Sequence, residues 1–304
     1  ASTEDRMDEY RYYAGVAQTV GVEVNFLTPE QVQEAWPMCN IDGLIGAIQH
    51  PDDGYIQPAD LTQALAKGAR TRGAEIYRNT AVLDLEQQAD DSWIVKTDKG
   101  DIHCEHVVCC TGNFARKTGE MVGLDIPVIP VEHQYIVTEE VPEIATIIDA
   151  GGEHPHVMDP AGESYLRQEG RGLCIGFYEQ PCRPWSINGT PWDFGHELLP
   201  DDFDKIEDSI AFAYKRFPSL ERAGVKSVIH GPFTFAPDGN PLVGPVPGMR
   251  NYWSACAVMA GFSQGGGVGL TLAQWMIEGE PERDVFAMDC PRVGTWRPCT
   301  SYTP

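Results

Sequence analysis

Residues 260–280, AGFSQGGGVGLTLAQWMIEGE, constrain the fold more than any other stretch, because three consecutive glycines run straight into an apolar helical repeat. Glycine carries no Cβ, so a glycine run that opens a helix lets backbone amides approach a neighbour or a ligand closely. The unpaired amides of a helix N-terminus, with the positive end of its dipole, suit an anion or an electron-rich carbonyl. Tight packing of a loop beneath a sheet would use the same residues. Either use requires a strand, a tight turn and a helix near the end of the chain.

The 304 residues, 42% hydrophobic, suffice for one large or two ordinary domains with a proper core. A formal net charge of -23 argues against nucleic acid or an anionic membrane surface as a partner, since phosphate binding draws on clustered Lys and Arg. No apolar run approaches the ~18 residues of a membrane span, and the opening ASTEDRMDEYRYY is charged where a signal peptide is apolar. A soluble chain of the cytoplasm, or of the mitochondrial matrix in a eukaryote, is expected. Nine cysteines (Cys39, Cys104, Cys109, Cys110, Cys174, Cys182, Cys256, Cys290 and Cys299) include no CxxC pair and no cluster with His at metal-ligand spacing. Reduced thiols and no metal centre are therefore expected.

Along the chain, QPADLTQALAKGARTR (57–72) sets Leu61, Ala64, Leu65, Gly68 and Ala69 on one helical face, with Pro58 at the start and Asp60 in the first turn. A strand follows, then a hairpin around DKG, then HVVCC, apolar enough for a buried central strand that ends at Thr111-Gly112. From Ile126 the alternation lengthens: PVIPVEHQYIVTEE and ESYLRQEGRGLCIGFYEQ, with EGRG as a turn, predict an antiparallel sheet. Ile206, Ile210, Ala213 and Phe217 predict a surface helix over 201–218, acidic at its start and with Lys215-Arg216 at its end, packing on something. Gly- and Pro-rich sequence then leads back to the triple glycine.

Four stretches in this order carry a resemblance: HPDDGYIQPADLTQALAKGARTRGAEI, HVVCCTGNFARKTGEMVGL, IPVIPVEHQYIVTE and PDGNPLVGPVPGMRNYWSACAVMAGFSQGGGVGLTLAQWMIEGEP. Together they resemble the FAD-dependent amine oxidase (D-amino-acid oxidase-like) superfamily, above all its dimethylglycine and sarcosine dehydrogenase branch. The resemblance implies an α+β fold. The remainder of a FAD-binding Rossmann-like domain (51–125 and 236–285) would be interleaved with a substrate domain on a large antiparallel sheet (1–50 and 126–235), followed by a C-terminal tail (286–304). The family's opening strand with its GxGxxG turn, which cradles the FAD pyrophosphate, has no counterpart here. A split flavin site is thus implied, completed by a second polypeptide or segment with the dinucleotide-binding fold. An associated aminomethyltransferase-like module would bring tetrahydrofolate. A natural subunit and an excerpt of a longer enzyme both satisfy the pattern.

The activity implied is hydride transfer from the N-methyl group of a small amine, such as dimethylglycine or sarcosine, to FAD. The iminium product would be hydrolysed or passed to tetrahydrofolate. His133, in VEHQY, stands at the position of the family's active-site histidine, and an imidazole can accept the amine proton near neutral pH. Tyr165, in ESYLRQ, matches its pocket tyrosine. Tyr135 and Arg167, each two residues further along its strand, follow as substrate-binding candidates. For the cofactor the resemblance implies Gly265, Gly266, Gly267 and Val268 near the isoalloxazine, Thr111 and Gly112 near the dinucleotide backbone, and Val82 near the adenine. The alternatives are an oxidase of another amino acid in the same superfamily and a non-catalytic partner subunit that keeps the fold for assembly or binding.

Overall fold

The computed structural model describes residues 1–294 and 296; Cys299 and the remainder of the C-terminal tail lie outside the described residues. In chain order the first elements are α1 (Glu4–Thr19), β1 (Asn25–Leu27), α2 (Pro29–Ala35), β2 (Ala47–Gln49), α3 (Pro58–Arg70), β3 (Val82–Gln87), β4 (Trp93–Thr97), β5 (Gly100–Cys104), β6 (Val107–Cys109) and α4 (Ala115–Glu120). There follow β7 (Ile129–Thr138), α5 (Pro142–Asp149), β8 (Val157–Asp159), β9 (Ser164–Glu169), β10 (Gly172–Phe177), α6 (Glu207–Arg216), β11 (Val225–Phe235), β12 (Leu242–Pro245), β13 (Tyr252–Cys256) and α7 (Gly261–Glu278). Two compact units form, one from residues 1–56, 133–182 and 198–231, the other from 57–132, 183–197 and 232–304.

The first unit is built on a five-stranded sheet in the order β11-β7-β10-β9-β8, with β10 antiparallel to both β7 and β9. Strand periodicity decides which residues face the core. Ile136, Leu166, Leu173 and Ile175 pack into one cluster with Ile144, Ile206, Ala213 and Phe217 of the helical side. The opposite side chains, His133 and Tyr135 on β7 and Tyr165 and Arg167 on β9, are half-buried on the other face. Between these strands β10 presents Cys174 and Gly176 to that same face, and its register sets Gly176 opposite both Tyr135 and Tyr165.

The end of α6 turns into the protein. Arg216 is buried, its Nε donating to Asp159 Oδ2 at 3.1 Å and an Nη to the Asn40 carbonyl at 2.6 Å. A helical terminus turned inward leaves a guanidinium no water, so it takes a carboxylate and carbonyls as partners.

The second unit carries two three-stranded sheets, β3-β4-β5 and β12-β13-β6. Its core gathers Leu85, Trp93, Leu124, Ile126, Leu242 and Tyr252. β13 runs parallel to β6 and antiparallel to β12, so β13, and not HVVCC, is central. β6 is an edge strand among the described residues, and its Val108 is 37% exposed for lack of a second neighbour. α3 forms as the sequence predicts, with the Gln57 side chain accepting from the amides of Ala59 and Asp60, yet none of its residues is buried. α7 follows β13 and packs Val268 and Leu272 against Val243 of β12. Trp275 lies over Gly244, where a Cβ would stand 2.6 Å from the indole. Among the described residues no helix is long and apolar enough to cross a membrane.

Candidate functional site

The sheet of the first unit brings two strands' worth of chemistry onto one face. His133 Nε2 lies 3.2 Å from the Tyr165 hydroxyl, although the two residues sit on strands separated by β10. Gly176 makes this possible: a Cβ there would fall well inside van der Waals contact of Tyr165 Cζ, Cε1 and Oη, so the phenol ring leans across the bare backbone of the central strand. Tyr178 completes the cluster, with ring centroids 5.6 Å from both His133 and Tyr165. The other imidazole nitrogen, Nδ1, is 3.6 Å from Glu179 Oε2, and the Glu179 side chain is only 3% exposed.

Burial pushes the Tyr165 phenol well above its ordinary range, and it raises Tyr135 and Tyr178 as well. All three hydroxyls keep their protons through the neutral range. The Tyr165 O–H can then donate to a bare Nε2, or its oxygen can accept from a protonated one. Aromatic faces around a proton acceptor suit a substituted ammonium or amine, which is drawn to the rings by their quadrupoles.

Of the four residues singled out on this sheet, His133 and Tyr165 are in direct contact. Tyr135 stands in the row of Gly176 on the same face. Arg167 forms an ion pair with Glu169, and its guanidinium lies 5.7 Å from the centroid of the Tyr55 ring. Tyr178, Glu179 and Gly176 escaped the sequence reading. Period-two alternation carried past β10 from Gly176 to Tyr178 was the available signal.

In the second unit the glycine run departs from its prediction. α7 begins at Gly261, with Ala260 as an N-cap that makes no side-chain bond, so Gly265, Gly266 and Gly267 lie inside the helix. Their amides belong to the helical ladder, which opens with the Gln264 N–H donating to the Ala260 carbonyl at 3.0 Å, and the first-turn amides of Gly261 to Ser263 are those left over. What the glycines contribute is a bare surface: a Cβ on any of the three would meet nothing within 4 Å. Val268 turns its side chain inward onto Val243. Thr111 and Gly112 follow the carboxyl end of β6, Gly112 with φ +55°, and the parallel partner β13 ends at Cys256 just before Ala257 at φ +52°. Val82 begins β3 in the other sheet of this unit, 41% exposed.

Nucleotide cofactors bind beyond the carboxyl ends of parallel strands, against a helix start. The carboxyl ends of β6 and β13, the positive-φ Gly112 and the uncapped, glycine-faced start of α7 fit that chemistry. They offer backbone that approaches a planar ring system without side chains in the way. No group of three or more His, Cys, Asp or Glu poised for a metal ion occurs among the described residues.

The chain is 37% identical to the mitochondrial dimethylglycine dehydrogenase of Rattus norvegicus over 308 aligned positions, covering 100% of this chain and 36% of that protein. It is 34% identical to the mitochondrial sarcosine dehydrogenase of Mus musculus, covering 96% of this chain and 31% of the relative. The chain thus spans about a third of the length of these curated relatives. Among solved structures, L-proline dehydrogenase from P. horikoshii superposes with a TM-score of 0.82 over 97% of this chain and 76% of its own, at 24% identity, which establishes likeness of fold. The family model described as FAD dependent oxidoreductase matches residues 1–275, and the chain belongs to that family.

Proposed function

We propose that this chain is the substrate-handling part, and half of the flavin site, of an enzyme that oxidises the N-methyl group of a small amino acid resembling dimethylglycine or sarcosine. The observation that carries the reading is the contact of His133 Nε2 with the Tyr165 hydroxyl on an aromatic face. An N-methyl amine reaches the enzyme largely as its ammonium, whereas oxidation needs a nitrogen lone pair. His133 takes that proton at Nε2, and Tyr165, kept neutral by burial, hands a hydrogen bond between imidazole and substrate. Tyr135 and Tyr178 supply electron-rich walls for the methylated nitrogen. Arg167 is assigned the substrate carboxylate, exchanging Glu169 for it through the same planar fork.

When bound, the flavin supplies the two-electron acceptor that takes hydride from the N-methyl carbon. Thr111, Gly112 and the backbone of Gly265, Gly266, Gly267 and Val268 are assigned to hold it, with Val82 towards the adenine. The outer edge of β6 and the unburied α3 support completion of this unit by a further segment with a strand and helix of its own, on this chain or another. The substrate iminium is hydrolysed to formaldehyde or captured by tetrahydrofolate on an aminomethyltransferase-like module.

The test is amine-dependent flavin reduction in the assembled, flavin-loaded enzyme. His133→Ala is expected to slow reduction by about 10²-fold or more. Reduction at the parent rate would sink the role of His133 and favour a non-catalytic partner.

A further inference from the structure

We infer that Glu179 is the positioning residue of the His133–Tyr165 pair, its buried carboxylate holding the imidazole proton on Nδ1 so that Nε2 is left as the acceptor. The inference deepens the proposed function and rests on its assignment of His133 as proton acceptor.

Three observations carry it. Glu179 is buried where a carboxylate has little water, two residues beyond the end of β10. Its Oε1 accepts the backbone N–H of Gln134 at 3.2 Å, which anchors the carboxylate to β7 beside His133. Its Oε2 is then turned to His133 Nδ1 at 3.6 Å, while the opposite ring nitrogen meets the Tyr165 hydroxyl. The 3.6 Å separation is that of an electrostatic contact and not a formed hydrogen bond. In a dry site a carboxylate at that range strongly favours an N–H facing it over a lone pair facing it.

The consequence is one of tautomers. An imidazole has a single proton in its neutral form, and whichever nitrogen keeps it cannot accept. With the proton on Nδ1, Nε2 can accept a hydrogen bond from the Tyr165 hydroxyl or a proton from the substrate ammonium. With the proton on Nε2, the pair can only donate, and the amine keeps its proton. An amide in place of the carboxylate turns an N–H towards Nδ1 and selects the second arrangement, the same logic by which the carboxylate of a hydrolase triad fixes its histidine.

The experiment uses the full chain with ¹⁵N-labelled histidine over a pH series, read where the ¹⁵N shifts themselves report a neutral ring, with His133 resonances assigned by their loss in His133→Gln. In the parent protein Nε2 is expected to resonate as the unprotonated nitrogen and Nδ1 as the protonated one, and Glu179→Gln is expected to exchange them. A parent protein with its proton on Nε2 overturns the inference without any variant, so a poorly folding Glu179→Gln does not shield it. An unchanged tautomer in a folded Glu179→Gln overturns it equally. In the flavin-loaded enzyme Glu179→Gln should lower amine-dependent reduction by about 10²-fold or more, with Glu179→Asp recovering part of the loss. A tautomer exchange with unaltered reduction would uphold the positioning role and refute the catalytic reading of His133.

Discussion

Gly176→Ala is the substitution by which the arrangement of this site is most directly tested. Gly176 sits between β7 and β9 with its α-carbon under the Tyr165 ring, and an added methyl would overlap Cζ, Cε1 and Oη of that ring. Carbon atoms in contact stand ~3.5–4.0 Å apart, so the phenol must retreat by roughly 1.5–2 Å. That takes the hydroxyl from 3.2 Å to about 5 Å from His133 Nε2, beyond hydrogen-bond reach. Overpacking of this kind costs about 1–3 kcal/mol of stability, while loss of the proton path should cost about 10²-fold or more in amine-dependent flavin reduction. Stopped-flow reduction and urea unfolding measure the two separately. The decisive comparison is a double-mutant cycle with Tyr165→Ala. If Gly176 acts by seating Tyr165, Gly176→Ala has almost no further effect on rate once the ring is gone. An undiminished rate in Gly176→Ala alone, or an equal loss in both backgrounds, would refute the reasoning.

Two further outcomes follow from buried polar groups. Arg216→Leu leaves Asp159 buried without its cation and should destabilise the protein by about 3–5 kcal/mol in chemical denaturation, a loss expected to shrink when Asp159 is replaced by Leu as well. In an alkaline titration followed at the tyrosinate absorbance, Tyr165 and Tyr252 should ionise after the exposed tyrosines, because burial raises both. Since their folded values lie above the unfolded one, the stability they contribute is complete below the ordinary tyrosine range and is lost as pH rises from that range through the raised folded values. Tyr165→Phe should therefore flatten part of that alkaline decline.

Much of the sheet was legible because period two is a strong signal where one face is buried. VEHQYIV and SYLRQ each announce an inward and an outward set, and the structure keeps both sets. The register between strands was not legible. That Gly176 also lies opposite Tyr135, and that Glu179 arrives behind His133, depend on the pairing of β10 with the sequence-distant β7. α7 was misjudged at its start for a different reason: glycine costs about 1 kcal/mol per residue in a helix interior relative to alanine, so local propensity puts GGG before the helix while the structure puts it inside. Nothing in the sequence around Arg216 announces the buried Asp159 that it meets.

The placement of those glycines divides α7 into two halves with different sources of order. From Val268 onward the helix is held by its contacts with β12. Before it, three residues without side chains lose more chain freedom on becoming helical than any others would, and they return no packing for it. The first turns are therefore the cheapest part of the helix to unwind, and whatever rests on their bare face does so by winding them. Binding at this end of the chain is then read out as helix: amide protection at residues 261–267 should rise with occupancy, while the segment beyond Val268 stays as it was.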